Sequence, residues 1–114
     1  MRIFLSLAAV VFTVALIVFT MASSASGDPE AGAELAAPCA ACHGSDGIAS
    51  VDKYPSLAGQ NEGYLYESMK AYREGNRQGG LATVMHGQVS NLSDQQLRDL
   101  AAYYAAMPRT GKED

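Results

Sequence analysis

The first pattern along the chain is an uncharged apolar run over residues 3–22, which follows the basic residue Arg2. A basic start followed by an apolar stretch is typical of an export signal. Small residues occupy positions 22–26, so a signal peptidase could cut after Ala25. The run is also close to the roughly 20 residues that span a bilayer, which leaves an uncleaved membrane anchor as the alternative. Both interpretations predict that residues 26–114 form one domain outside the cytoplasmic membrane.

Capping residues predict where the first helix of this domain begins. Asp28, Pro29 and Glu30 are an N-cap, a first-turn proline and a first-turn acid. We expect this helix to run to about Ala37, because Pro38 disfavours its continuation. The helix would then end beside the two cysteines of the chain.

A second helix follows from apolar residues at helical spacing. Leu65, Met69 and Tyr72 recur on one face of a segment over about residues 61–74, and Gly75 is expected to end it. This face is therefore predicted to pack against the rest of the domain.

The third helix has the clearest local signals. Ser93 and Gln96 form a capping box, and Leu92 and Leu97 stand at the two positions of a hydrophobic staple. The helix should end near Met107. Its buried stripe is expected to consist of Leu97, Leu100, Ala101 and Tyr104.

Two long connections rich in Gly and Ser, residues 44–60 and 75–91, separate these three helices. Long connections without structure are uncommon in a compact domain unless something other than protein organises them. The domain also has few large aliphatic residues, and domains of this size tend to be marginally stable without a staple. Both observations predict a bound cofactor at the centre.

Charge narrows the range of partners. The chain has 8 Lys and Arg against 12 Asp and Glu, a formal net charge of −4, with no run of like charge. This argues against nucleic acid or an anionic membrane surface as a partner.

Both cysteines lie in the motif Cys39-Ala40-Ala41-Cys42-His43. A structural disulfide would give the adjacent histidine no role, and a thioredoxin-like redox pair would need a preceding strand that the sequence does not predict. A zinc site would have only His86 as a fourth ligand, and the adjacent Cys42 and His43 are poorly placed to share one tetrahedron. Covalent haem attachment remains: two thiols add to the haem vinyl groups and the next residue binds the iron.

Four segments in order carry a resemblance to a known family: PCAACHGSDG, YPSLAGQNEGYL, EGNR and MHGQVSNLSDQQLRDLAAYYAAM. Over nearly all of residues 28–114 the sequence resembles the class I c-type cytochromes, in particular the cytochrome c4 and c553 group. The resemblance implies a small all-α fold, with about three main helices wrapped around one covalently attached haem. It also implies that His43 is the proximal iron ligand and that a methionine from the later loop is the sixth ligand.

Three methionines compete for that sixth position. Met69 lies on the stripe of the second helix and Met107 at the end of the third, where a methionine is ordinary core filling. Met85 lies in the second connection, seven residues before Leu92, which is where the resembling family carries its ligand. Its neighbour His86 is the alternative, and a second imidazole would give a lower reduction potential. We expect Met85 to bind and His86 to be a loop residue at the haem edge.

The resemblance implies further contacts around the haem. Ligating imidazoles usually donate their other ring N–H to an acceptor, and in related cytochromes this is the carbonyl of a loop proline. Pro55 matches that position, and Leu57 is expected to pack on the haem face. Gly32 is expected to allow the first helix to approach the third near Tyr103 or Tyr104.

With both axial positions filled by protein, the expected chemistry is outer-sphere transfer of single electrons, so we predict a carrier and not an enzyme. The predicted partners are a quinol-oxidising complex as donor and a terminal oxidase or reductase as acceptor, with the protein in the periplasm or anchored to the outer face of the cytoplasmic membrane. The alternative is a haem subunit of a larger respiratory or dehydrogenase complex, tethered through residues 3–22. A peroxidase would require an open iron position.

Overall fold

The computed structural model describes residues 26–110, so the predicted export segment and its cleavage site lie outside the described residues. Within this part of the chain the structure consists of five α-helices and contains no strand. None of these helices has the length and apolar character needed to cross a membrane. The helices are α1 (Pro29–Leu35), α2 (Ala37–His43), α3 (Glu62–Arg73), α4 (Ala82–Val89) and α5 (Asp94–Ala105).

Helix α5 is the centre of the fold, and both α1 and α3 pack against it. The predicted capping box is present: the Ser93 hydroxyl accepts from the Gln96 backbone N–H, and the Gln96 side chain accepts from the Ser93 backbone N–H. Two backbone N–H groups that would otherwise lack an acceptor are thereby hydrogen-bonded, which defines where the helix begins. The predicted stripe is also confirmed, because all four of its residues are buried: Leu97, Leu100, Ala101 and Tyr104.

Helix α1 crosses α5 so closely that only glycine fits at the crossing. A Cβ atom at Gly32 would overlap the Asp99 carbonyl oxygen and would lie 2.8 Å from Cβ of Tyr103. The predicted close approach near Tyr103 is therefore confirmed. The buried Asp99 carboxylate strengthens the crossing, since it accepts hydrogen bonds from the Asp28 backbone N–H at 2.8 Å and the Gln95 side chain at 2.9 Å. A buried carboxylate needs such partners to offset its lost hydration.

Arg73 joins the end of α3 to the start of α5. Its guanidinium donates to the Leu92 carbonyl at 3.0 Å and to the Asp94 carboxylate. The hydrogen bond from Arg73 holds the pKa of Asp94 below its ordinary value. Asp94 also lies in the first turn of α5, where a negative charge is favoured by the helix dipole. The two helices are thus tied at this end as well as through their apolar faces.

The predicted first helix is wrong in its extent, because the chain forms two short helices where one was expected. Helix α1 ends at Leu35, and α2 begins at Ala37 with Pro38 in its first turn. A proline is tolerated there, because the first backbone N–H groups of a helix have no intrahelical acceptor. Pro38 therefore starts a helix instead of preventing one, and the cysteine motif lies on α2.

The second predicted connection also differs, because residues 75–91 contain helix α4. The sequence gives little sign of this helix: Leu81 at its N-cap makes no side-chain capping bond, and Gly87 lies inside it. The first connection, residues 44–60, is free of helix and strand as expected.

The hydrophobic core is small, and half of its buried residues are alanine. Leu97 and Leu100 are the only large side chains less than 2% exposed in the described part of the chain. Besides these two, the buried apolar residues are Ala36, Ala58, Leu65, Ala82, Val89, Ala101, Ala102 and Tyr104. A core of this composition buries little apolar surface.

The crossing of α1 and α5 predicts opposite effects for two glycine substitutions. Gly32→Ala should lower the free energy of unfolding by about 1–3 kcal/mol, as overpacking does. Gly63→Ala should raise it by up to about 1 kcal/mol, because Gly63 lies within α3 with nothing near its missing Cβ. Denaturant unfolding of the two variants measures both changes, and equal effects would contradict the tight crossing.

Candidate metal centre

Helix α2 carries all three residues of the cysteine motif. Cys39 and Cys42 are partly buried and form no disulfide with each other, and His43 is the last residue of the helix and only 6% exposed. Gly44 ends the helix with φ of 83°, a conformation that glycine adopts without strain. The chain therefore turns away directly after His43 and leaves its imidazole in the interior.

A hydrogen bond fixes the orientation of the His43 ring. Nδ1 lies 2.8 Å from the Pro55 carbonyl oxygen. Because a carbonyl can only accept, Nδ1 carries the proton and Nε2 keeps its lone pair for a metal ion. The hydrogen bond expected from the resemblance is thus present.

The loop that supplies Pro55 is closed by backbone hydrogen bonds. The Gly47 carbonyl accepts from the backbone N–H groups of Leu57 at 2.8 Å and Ala58 at 3.0 Å. The Leu57 side chain is partly buried against the core cluster. Its contact with a haem remains a prediction.

The Cys39 thiol does not have the environment of a reactive cysteine. Burial raises the pKa of the Cys39 thiol, while its hydrogen bond with Tyr104 acts in the opposite direction and the nearby Cys42 raises it further. Reactive cysteines instead have lowered pKa values, because the thiolate is the nucleophile. Among the described residues, no group of three or more His, Cys, Asp or Glu side chains could hold a metal ion. The zinc alternative therefore finds no support in the geometry, and the thioredoxin-like alternative lacks the preceding strand, since the described residues form none.

Two of the three candidate methionines pack against the core. Met69 and Met107 are both partly buried against the core cluster, and the Met107 sulfur lies 2.8 Å from where a Cβ of Gly47 would stand. Met85 is partly buried on α4, which packs against α3, whereas α2 packs against α1. Met85 and His43 thus lie on helices with different packing partners. The prediction that Met85 lies in an irregular loop is wrong, but Met85 remains the candidate ligand.

His86 is also a helical residue and not the loop residue that was expected. Its Nδ1 lies 2.8 Å from the carbonyl oxygen of Tyr72, in the last turn of α3. The imidazole is therefore turned towards α3. Sequence reasoning missed this contact, because nothing local to His86 or Tyr72 indicates it.

The donor set fits a covalently bound haem. Two thiols three residues apart are available for thioether bonds, the adjacent imidazole presents Nε2, and α4 offers a thioether sulfur. Imidazole and thioether are axial ligands of iron in c-type haem proteins. The alanine-rich core leaves the centre of the domain to be completed by a large apolar group.

Comparisons with known proteins agree with this chemistry. The family model described as "Cytochrome c" matches residues 29–107. Cytochrome c-554(548) of Halomonas halodenitrificans is 46% identical over 80 residues, which cover 70% of this chain and 96% of that protein. Cytochrome c4 of Pseudomonas aeruginosa is 46% identical over 82 residues, which cover 72% of this chain and 39% of that protein.

A solved structure shows the same fold. The crystal structure of reduced recombinant cytochrome c4 from Pseudomonas stutzeri matches with a TM-score of 0.65 and 39% identity. The match covers 73% of this chain and 47% of that one. This chain therefore spans less than half of these two cytochrome c4 proteins, although it spans nearly all of cytochrome c-554(548). Together with these matches, the CxxCH motif shows that one haem c is bound covalently through Cys39 and Cys42.

Attachment through both thiols predicts the result of cysteine replacement. The double variant Cys39→Ala, Cys42→Ala should have no covalent haem, because no other cysteine is present in the chain. Acid-acetone extraction of the wild type and the double variant measures this directly. Haem that resists extraction from the double variant would show that the attachment is assigned wrongly.

The small core predicts that the chain depends on haem for its folding. Without haem the chain should have little fixed tertiary structure, since so few large side chains are fully buried. Near-ultraviolet circular dichroism and thermal unfolding of haem-free protein check this. A cooperative, fully helical haem-free protein would contradict it.

Proposed function

Because this chain belongs to the cytochrome c family and binds one haem c, we propose that it carries single electrons from a quinol-oxidising complex to a terminal oxidase or reductase. That it exchanges electrons with redox proteins is a property of its family. The identity of the two partners is the proposal.

Four residues of the chain would hold the cofactor. Cys39 and Cys42 anchor it, and His43 Nε2 and the Met85 sulfur would be the protein ligands of the iron. The haem iron supplies a one-electron couple between its ferrous and ferric states. With both iron ligands supplied by the chain, no position would remain for a substrate, so we expect a carrier and not an enzyme.

The observation that carries this proposal is the hydrogen bond between His43 and Pro55. It holds the imidazole in one tautomer and one orientation inside the protein, with only 6% of the residue exposed. A ligand held in this way changes little between two oxidation states, which suits repeated electron transfer. The same hydrogen bond increases the basicity of the ligand nitrogen.

The location of the protein forms part of the proposal. We place it in the periplasm, either free or anchored to the outer face of the cytoplasmic membrane through residues 3–22. Cytochrome c-554(548), of which the match covers 96%, supports a carrier with one haem domain.

The second candidate is a haem subunit tethered in a larger respiratory or dehydrogenase complex. The apolar run over residues 3–22 favours it, because this run is close to the length that spans a bilayer. Mass spectrometry of the native protein separates the two candidates. An intact segment of residues 1–25 favours the tethered subunit, and a mature start after Ala25 favours the free carrier.

The sixth ligand offers the most direct test of the carrier function. In the ferric protein, Met85→Ala should abolish the weak far-red charge-transfer band between sulfur and iron. It should also lower the reduction potential by roughly 0.1 V or more, within the ~0.8 V range that axial ligands cover. Cyanide and carbon monoxide should then bind readily. Visible spectroscopy and redox titration measure these changes.

The matched control is His86→Ala, which should retain the band because His86 is turned towards α3. If His86→Ala removes the native spectrum while Met85→Ala leaves it unchanged, the iron has two histidine ligands. The proposed ligand pair of His43 and Met85 would then be excluded.

A further inference from the structure

Helix α4, which carries Met85, begins without a local anchor. Its N-cap residue Leu81 makes no side-chain capping bond, and the preceding Gly79 and Gly80 both have positive φ. The helix has eight residues, which is too short for a stable helix on its own. Contacts with the rest of the protein must therefore hold α4, and with it Met85, in place.

His86 makes such a contact. Its Nδ1 donates to the Tyr72 carbonyl oxygen at 2.8 Å, which links α4 to the last turn of α3. A carbonyl oxygen has two lone pairs, and that of Tyr72 also accepts from the Gly75 backbone N–H at 3.2 Å. Tyr72 lies in the last turn of α3, where the backbone carbonyl groups have no N–H donor within the helix, so its carbonyl is available to His86.

The end of α3 that carries this acceptor is tied to the central helix of the fold. Arg73, adjacent to Tyr72, ties this end of α3 to Leu92 and Asp94 at the start of α5. A continuous set of contacts therefore runs from the central helix α5, through α3, to His86.

We infer that His86 is a positioning residue that holds α4 so that Met85 stays bound to the iron. This inference depends on the proposed role of Met85 as sixth ligand. Successive residues of a helix point about 100° apart. With the His86 ring turned towards α3, the Met85 side chain leaves the helix in a different direction. His86 thus acts on the iron through the helix, without binding the metal.

The rate of cyanide binding to the ferric protein tests this inference. At saturating cyanide this rate is limited by the loss of Met85 from the iron, so it reports how firmly α4 is held. His86→Ala should raise the rate by about fivefold, the effect of losing one hydrogen bond. The far-red charge-transfer band should remain at room temperature but should disappear at a lower temperature than in the wild type.

Two substitutions of matched shape separate the hydrogen bond from other effects of the side chain. The amide nitrogen of Asn is the same number of bonds from the backbone as Nδ1 of His, so His86→Asn should keep the rate within about twofold of the wild type. His86→Leu has the shape of Asn without the donor and should behave like His86→Ala. Asn also lacks Nε2, so its rescue would exclude any role of His86 as an iron ligand.

Thr83→Ala is the control within the same helix. Thr83 lies one turn before His86 on α4 and is exposed. Alanine has a higher helix propensity than either His or Thr, so a faster rate in His86→Ala alone could not come from a weaker helix. Thr83→Ala should bind cyanide at the wild-type rate.

Each outcome decides the inference. A wild-type rate in His86→Ala, a fast rate in His86→Asn, or an equally fast rate in Thr83→Ala would overturn it. If the Ala and Leu variants do not incorporate haem, incorporation by His86→Asn supports the inference and its failure overturns it. Met85→Ala, measured in parallel, tests the sixth ligand separately from the role of His86. A charge-transfer band that remains in Met85→Ala would show that Met85 is not the sixth ligand. If Met85→Ala loses the band and His86→Ala binds cyanide at the wild-type rate, only the role of His86 is overturned.

Discussion

The close crossing of α1 and α5 is the contact on which the rest of the structure depends. Gly32 allows α1 to reach the backbone of α5 at Asp99. The Asp99 carboxylate in turn accepts a hydrogen bond from the backbone N–H of Asp28, the N-cap residue of α1. Because α2 follows α1 after a single residue, this crossing also determines where the cysteine motif lies. The end of α5 also holds the loop that supplies Pro55, since the Tyr104 carbonyl accepts from the Gly59 backbone N–H at 3.0 Å.

The two expected iron ligands are held in different ways. His43 lies at the end of α2 and is oriented by a carbonyl from a loop closed on itself by backbone hydrogen bonds. Met85 lies on a short helix that packs on α3 and depends on that helix for its position. One ligand is thus oriented by a hydrogen-bonded loop, and the other lies on a helix that is held by its contacts with α3.

A small core suits a protein whose centre is a cofactor. Alanine occupies many of the buried positions, so neighbouring backbones approach closely and the large apolar group is left to the haem. The same composition explains why the long connection between α2 and α3 is tolerated. In a domain without a cofactor, connections of this length would count against a compact fold.

The sequence by itself determined the features that depend on neighbouring residues. The Ser93 and Gln96 capping box, the buried stripe of α5 and the attachment of haem to Cys39 and Cys42 all follow from residues within one or two turns of each other. Such signals are local, so they can be recognised without the fold.

Only the tertiary structure decided the features that depend on distant residues. Helix α4 has neither a capping side chain nor a clear apolar face, so it forms because α3 provides a surface for it. The first predicted helix is divided at Ala36 because Pro38 starts a new helix. The proline ring is compatible with the first turn of a helix and also with the end of one, so the sequence alone could not distinguish the two. The partner of His86 is a backbone carbonyl 14 residues away, which no side-chain pattern can indicate. These contacts form only when the helices pack, because packing brings together groups that are far apart along the chain.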